Sequence, residues 1–460
     1  MKNIKVGLLP LYIKLYDDAN VNKDGLVEFY NKVANELEKY GITIIKSPVC
    51  RIDSEFKESV KNFEEQGADA IITLHLAYSP SLECIDALAN TKLPIIVLDT
   101  TEAYSLSKEY SLQPIMFNHG IHGVMDMCNL LKRRGKKYAV CAGHLNDNKV
   151  IKKAVDCVKT AVSATSLKGS KTGIFGTSFK GMGDFLVTDK EMQDRFNVTQ
   201  IHFKDSEMED AYNSITDEEA IKEIKSYYSE MAVKNPINEE NLLISAKSSL
   251  ALRKLIKERN LDAFTVNFLD IDKKNLKTMP FIECSKQMQN GIGYAGEGDS
   301  LTASFVGAIA KCFDEFSFVE IFCPDWKENR ILISHMGEMN YAVKQGDITL
   351  EESGFAFTSA GFCFKGLAEF KSGSAVFCNV FKDVGDEFKM LISGVEMVSV
   401  STNEFDDSIR GFFKPNCNID EFLEKLSEHG VTHHSFLVYN VDIKALEFFG
   451  NLLDMKVITV

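Results

Sequence analysis

Short apolar runs alternate with stretches of helical period from the first residues onward. Ile4 to Leu9 reads as a buried strand, and Gly25 to Tyr40 then sets Leu26, Phe29, Val33 and Leu37 three or four residues apart, a helical stripe that stops at Gly41. The alternation repeats. Strand-like runs at Ile42 to Ile45, Ala70 to Leu74, Pro94 to Leu98 and Lys137 to Ala142 are separated by helical stretches at Ser54 to Gln66, Ser81 to Ala89 and His122 to Arg134. Repetition of this kind predicts a parallel sheet covered on both faces.

A helix from Lys149 to Thr165 leads to a linker near Lys168 to Lys171, and a second series opens with a strand at Thr172 to Phe175. Helices are predicted at Asp217 to Met231, Asn238 to Glu258 and Ser300 to Phe313, with a strand near Ala263 to Phe268. Beyond about residue 325 the texture changes to short β-rich runs, Arg330 to Ser334, Ala375 to Val380, Phe388 to Ile392 and Val395 to Val400, broken by Gly, Asp and Asn turns. The chain has 460 residues, and at roughly 150 residues per domain that length suits about three domains. The expected boundaries are 1–168, 169–322 and 323–460, the last mainly β.

Charge narrows the partners. Lys plus Arg number 52 against 66 Asp plus Glu, a net charge of −14, which repels nucleic-acid backbones and anionic lipid. No segment approaches the roughly 18 uninterrupted apolar residues that a membrane span needs. The 11 cysteines are scattered and never form C-x-x-C, so neither a disulfide framework nor a zinc knuckle is indicated. This usage predicts a soluble cytoplasmic protein.

One segment, Gly291-Ile-Gly293-Tyr-Ala-Gly296, matches a dinucleotide-binding pattern. Its context argues against that use, because Phe281 to Asn290 does not read as a strand and Glu297 and Asp299 would repel a pyrophosphate at the following helix. The glycines are expected instead to turn the chain so that Glu297 points into a cleft. Glu320 lies inside the apolar run Phe318-Val-Glu-Ile-Phe322, where an ionised carboxylate requires a partner. His335 follows the strand Arg330 to Ile333, and Thr432-His433-His434-Ser435 lies near the C-terminus. Two glutamates and two histidines suit an octahedral site for Mn2+ or a similar divalent ion. If both adjacent histidines lie on a strand their side chains point to opposite faces, so one ligates and the other orients or packs. His75, His119, His122 and His144 follow strands or open a helix, where clefts of parallel sheets form; His202 and His429 read as surface residues.

Ala295-Gly-Glu-Gly-Asp299 together with Ser334-His-Met336 and Thr432-His-His434 resembles the L-arabinose isomerase family, within the broader L-fucose/L-arabinose isomerase-like group. The resemblance extends to Leu74-His-Leu-Ala-Tyr-Ser-Pro80, Asn118-His-Gly-Ile-His-Gly123 and Val140-Cys-Ala-Gly-His-Leu-Asn-Asp147, in the family's order. It implies two Rossmann-like αβα domains followed by a barrel-like β domain, in trimer-based homo-oligomers, commonly hexamers, with sites between subunits. It implies Glu297, Glu320, His335 and His434 as ligands of Mn2+, or of Co2+ or Mg2+, and both glutamates as proton-transfer residues. His122, His144 and Phe268 would contact a small-molecule sugar. The reaction implied is metal-dependent aldose-ketose isomerisation of a pentose or 6-deoxyhexose through an enediol, with L-arabinose to L-ribulose first in line. The chain departs from the family at Leu9-Pro10-Leu11-Tyr12, where a glutamine element is usual, and at Thr73, where a tryptophan is usual. The two βα series also allow a non-catalytic sugar-binding or sensor protein.

Overall fold

The computed structural model describes residues 3–17, 24–106, 112–147, 149–399 and 407–460. These fall into two compact units, one of residues 1–162 with 444–452, the other of residues 163–443 with 453–460.

The first unit carries five parallel strands in the order Thr43–Lys46, Lys5–Leu11, Ala70–His75, Ile95–Asp99, Tyr138–Ala142. Every side chain of Ala70–His75 is buried, as an inner parallel strand covered on both faces requires. Helices Asp53–Glu65, Ser81–Asn90 and Ile121–Arg133 supply Phe56, Phe63, Cys84, Leu88, Met127 and Leu131 to the core beneath the sheet.

The second unit holds a four-stranded parallel sheet ordered Gly293–Gly296, Ala263–Val266, Lys171–Phe175, Thr199–Phe203. The expected absence of a strand over 281–290 holds, since Phe281–Gln289 is a helix. Helix Ser300–Ala310, buried along its whole length, opens at Asp299, whose Oδ1 accepts from Thr302 N at 2.8 Å.

The mainly β texture beyond residue 325 resolves into a closed barrel of six strands. Its order is Gly373–Lys382, His434–Tyr439, Phe316–Asp325, Arg330–Ser334, Gly411–Pro415 and Phe388–Val398, which pairs back onto Gly373–Lys382. Closure leaves no open edge within this ring. A strand at Lys456–Thr459 adds to Phe388–Val398 from outside. The two runs expected at Phe388 to Ile392 and Val395 to Val400 form this one strand, because Ser393 and Gly394 pair with Phe377 and Val376 instead of turning; Val400 lies outside the described residues. Alongside stands a hairpin, Lys344–Phe355 with Gly361–Phe370, extended by Met231–Val233. Among the described residues no helix is long and apolar enough to cross a membrane.

Candidate metal centre

Four segments that are far apart in sequence converge where the parallel sheet of the second unit meets the barrel. Strand Gly293–Gly296 delivers Glu297 at its carboxyl end, the position at which open parallel sheets form clefts. Glu297 itself sits at φ 62°, anchored by its N–H donating to Val266 O at 3.0 Å. The flanking glycines are needed there. A Cβ on Gly296 would lie 2.6 Å from His335 Cε1, and Gly298 at φ +80° presses on the Ser178 and Thr177 backbone, where a Cβ would come within 2.5 Å. Gly298→Ala is therefore expected to cost about 1–2 kcal/mol for the left-handed backbone alone, with further loss from the clash. Thermal unfolding of the variant measures the effect.

The barrel register supplies the other members. Glu320 stands directly opposite His434 on one neighbouring strand and Ser334 on the other, so these three share a face. His335 follows Ser334 and closes over that face. The His433–His434 backbone is pinned by buried Asn379, whose Nδ2 donates to Thr432 O at 2.7 Å and His434 O at 2.8 Å.

The side chains assemble as two pairs. Glu297 Oε2 lies 3.5 Å from His434 Nε2, and Glu320 Oε2 lies 3.9 Å from His335 Nε2. The two imidazoles meet edge to face with ring centroids 5.9 Å apart, and Phe318 packs edge-on against both at 4.8 and 5.0 Å. His433 joins the first pair, its Nε2 3.6 Å from Glu297 Oε2. The alternation rule that separated the two adjacent histidines does not apply, because the strand begins at His434 and His433 lies in the bend before it. Among the described residues the one group of acids and imidazoles whose candidate ligand atoms all lie within 4.8 Å of one another is Glu297, His433 and His434, with Glu320 and His335 outside it.

A carboxylate stands beside the other nitrogen of each inner imidazole, hydrogen-bonded to it in His434 and in ion-pair contact in His335, whose Nδ1 has no hydrogen-bond partner. His434 Nδ1 lies 3.0 Å from Asp299 Oδ2, and His335 Nδ1 lies 2.9 Å from Glu338 Oε1, which also accepts from Tyr294 OH at 2.6 Å. Both Nε2 atoms are buried with no hydrogen-bond partner. An unsatisfied buried imidazole nitrogen is costly, and in both rings it faces a glutamate oxygen. A divalent cation answers that pattern, and the carboxylate behind each imidazole is the arrangement that orients metal-binding histidines. The residues fit a bound divalent ion.

The electrostatics show these acids and imidazoles pairing with one another. Burial works to raise the Glu297 carboxyl, yet the imidazoles of His433 and His434 beside it bring it down to about 2. Burial opposes charge on His433 too, but Asp184 and Glu297 lift it to about 10. His434 is raised in the same sense, against its burial, chiefly by Asp299. Glu338, fully enclosed, is nonetheless lowered by His335.

Three further sequence candidates are not part of this cluster of acids and imidazoles. Phe268 is buried in an aromatic group with Phe179, Phe355 and Phe357, with centroids 5.6–5.7 Å away, and the N–H of Phe179 donates to Glu297 O at 2.9 Å. His122 and His144 belong to the first unit. His122 is exposed at the start of its helix, 5.3 Å from the His119 ring, and His144 packs on Tyr104 at 4.8 Å. Sequence reasoning gave no role to Asp184, Phe185 or Glu338. Glu338 carried a faint signal in its spacing three residues after His335, whereas Asp184 carried none, since it meets His433 across 249 positions.

Residues 181–314 match the pattern described as the L-arabinose isomerase central domain, and residues 315–456 match the L-arabinose isomerase C-terminal domain. Together these span more than half of the chain. It belongs to the L-arabinose isomerase family. The family's two matched regions divide between Asp314 and Glu315, so that Glu297 falls in the first and Glu320, His335 and His434 in the second. L-arabinose isomerase of Enterobacter sp. (strain 638) is 23% identical over 414 residues, covering 86% of this chain and 81% of the relative. That of Pediococcus pentosaceus is 23% identical over 461 residues, covering 96% and 94%, and that of Nocardioides sp. is 22% identical over 396 residues, covering 83% and 78%.

Proposed function

We propose that this protein is a sugar isomerase that interconverts an aldose and its ketose, L-arabinose and L-ribulose first, and that Glu297, Glu320, His335 and His434 hold the divalent cation it uses. The observation that carries the reading is the pair of buried, unpartnered imidazole nitrogens on His335 and His434, each facing a glutamate. Mixed nitrogen and oxygen donors suit Mn2+ or Co2+; Mg2+ is the harder alternative and favours oxygen.

Moving a carbonyl between C1 and C2 requires breaking a C–H bond and holding the negative charge of the enediolate that forms. A bound divalent cation supplies Lewis-acid polarisation of the sugar oxygens and a template for them. The chain's own carboxylates do the proton work. One glutamate removes the proton from C2 and returns it at C1, using an oxygen not committed to the cation, while the other passes protons among hydroxyls. Both are close to imidazoles, and the apolar rings of Phe318 and Phe185 cover the inner imidazoles, where fixed charges act more strongly than in water.

On this reading His122, His144 and Phe268 contact the sugar, and the working form is a homo-oligomer, a trimer or a hexamer, as the family resemblance implies. The 11 cysteines, none of them in a disulfide, suit a cytoplasmic setting. The direct test is incubation with Mn2+ and a panel of pentoses and 6-deoxyhexoses, reading ketose formation. Conversion of at least one sugar, with L-arabinose foremost, is the expected result. Tight sugar binding without any conversion would replace the isomerase by a sugar-binding or sensor protein.

A further inference from the structure

The loop that follows strand Lys171–Phe175 wraps the Glu297 turn. Phe179 N donates to Glu297 O at 2.9 Å, Ser178 Oγ donates to Gly298 O at 3.3 Å, and Asn267 Nδ2 donates to Thr177 O at 2.8 Å. Thr177 N and Oγ1 both donate to Asp270 Oδ2, at 2.7 and 2.8 Å. At the far end Thr188 caps helix Asp189–Phe196 through a reciprocal pair with Glu191. Anchored at both ends, the loop presents two side chains to the histidine pair.

Asp184 is the first. A single oxygen, Oδ2, accepts from His433 N at 2.9 Å and from His433 Nδ1 at 2.7 Å. Tying the backbone and ring of one residue to the same atom fixes the imidazole's rotation and leaves Nε2 directed at Glu297. Phe185 is the second. It is buried and lies face to face with His434, centroids 5.0 Å apart at 11°.

Glu297 is thus flanked by two imidazoles, each braced by an aspartate, but the two arms differ. Asp299 and His434 are fully buried, whereas Asp184 and His433 keep 34% and 32% of their side-chain surface open. Both imidazoles belong to the close group around Glu297, and the proposed ligand set takes the inner one. The outer arm is the one that keeps exposed surface beside Glu297.

We propose that Asp184 is a positioning residue for sugar turnover, acting through His433 to hold its Nε2 between Glu297 and the incoming sugar, and that it takes no part in holding the cation. The inference rests on the isomerase reading. Misplacement of a group beside the reacting atoms costs rate in proportion to the geometry lost, so the effect belongs in turnover and not in metal affinity.

The test compares wild type, Asp184→Asn, Asp184→Glu and Asp189→Asn. Asp189 pairs with His202 Nε2 at 2.9 Å on the surface, with more than half of both side chains exposed, and serves as an aspartate–histidine pair outside the site. With L-arabinose and Mn2+, Asp184→Asn is expected to lower kcat/KM by about tenfold or more, with kcat carrying most of the loss. Apparent Mn2+ affinity and the thermal midpoint stay at wild-type values, Asp184→Glu recovers part of the rate, and Asp189→Asn matches wild type. Wild-type kcat/KM in Asp184→Asn, an equal loss of Mn2+ affinity, or a loss that follows a fall in thermal midpoint would overturn the inference. Wild-type protein inert toward every panel sugar would overturn the isomerase reading and the inference together, which separates the two failures.

Discussion

Glu297→Gln and Glu320→Gln are each expected to reduce sugar turnover by at least about 10^2- to 10^4-fold, the range for losing a general acid or base, while the protein stays folded. The amide keeps the shape of the carboxylate but neither takes up a proton at neutral pH nor offers the charge that a cation prefers. Glu297 is the more tightly held of the two: its turn is fixed by Val266, Phe179 and the flanking glycines, and His433 and His434 keep its carboxyl at about 2. Glu320 sits on a barrel strand with its backbone paired on both sides, so the substitution leaves the register untouched. Steady-state kinetics beside circular dichroism checks this. Wild-type turnover in either variant contradicts a proton-transfer role for that residue.

The second large effect concerns the imidazoles. His335→Ala and His434→Ala are expected to raise the Mn2+ concentration needed for half-maximal activity by more than about 100-fold, since even the outer partners of such ligands are worth about 10- to 100-fold. Each removal takes a buried Nε2 that no hydrogen bond satisfies. It also leaves its bracing carboxylate, Asp299 or Glu338, without the ring it orients. Activity measured across a Mn2+ series after chelation by EDTA gives the shift, and an unchanged midpoint contradicts ligation by that histidine.

Much of this arrangement is legible in the sequence because it rests on local patterns. The alternating strands and helices of residues 4–142 follow apolar periodicity, and the parallel sheet they form is the one that periodicity predicts. Glu320 announces itself as a charge in an apolar run, and it stands opposite His434 in the barrel with a quarter of its side chain exposed. Other features depend on pairing across long distances and leave no local trace. Closure of the barrel joins Gly373–Lys382 to Phe388–Val398 through a Ser393-Gly394 step that, by composition, reads as a turn. The proximity of His433 to Glu297 depends on where a strand starts, a boundary that one residue decides, and the Asp184–His433 pair depends on a loop and a bend brought together only in the folded chain.

Electron paramagnetic resonance of Mn2+ titrated into the metal-free protein tests the metal centre most directly. One tightly bound ion per chain, lost in His434→Ala and in Glu297→Gln, is the expected result. Absence of tight binding in the wild-type protein, or a bound ion whose affinity neither substitution alters, would contradict a centre built from Glu297, Glu320, His335 and His434.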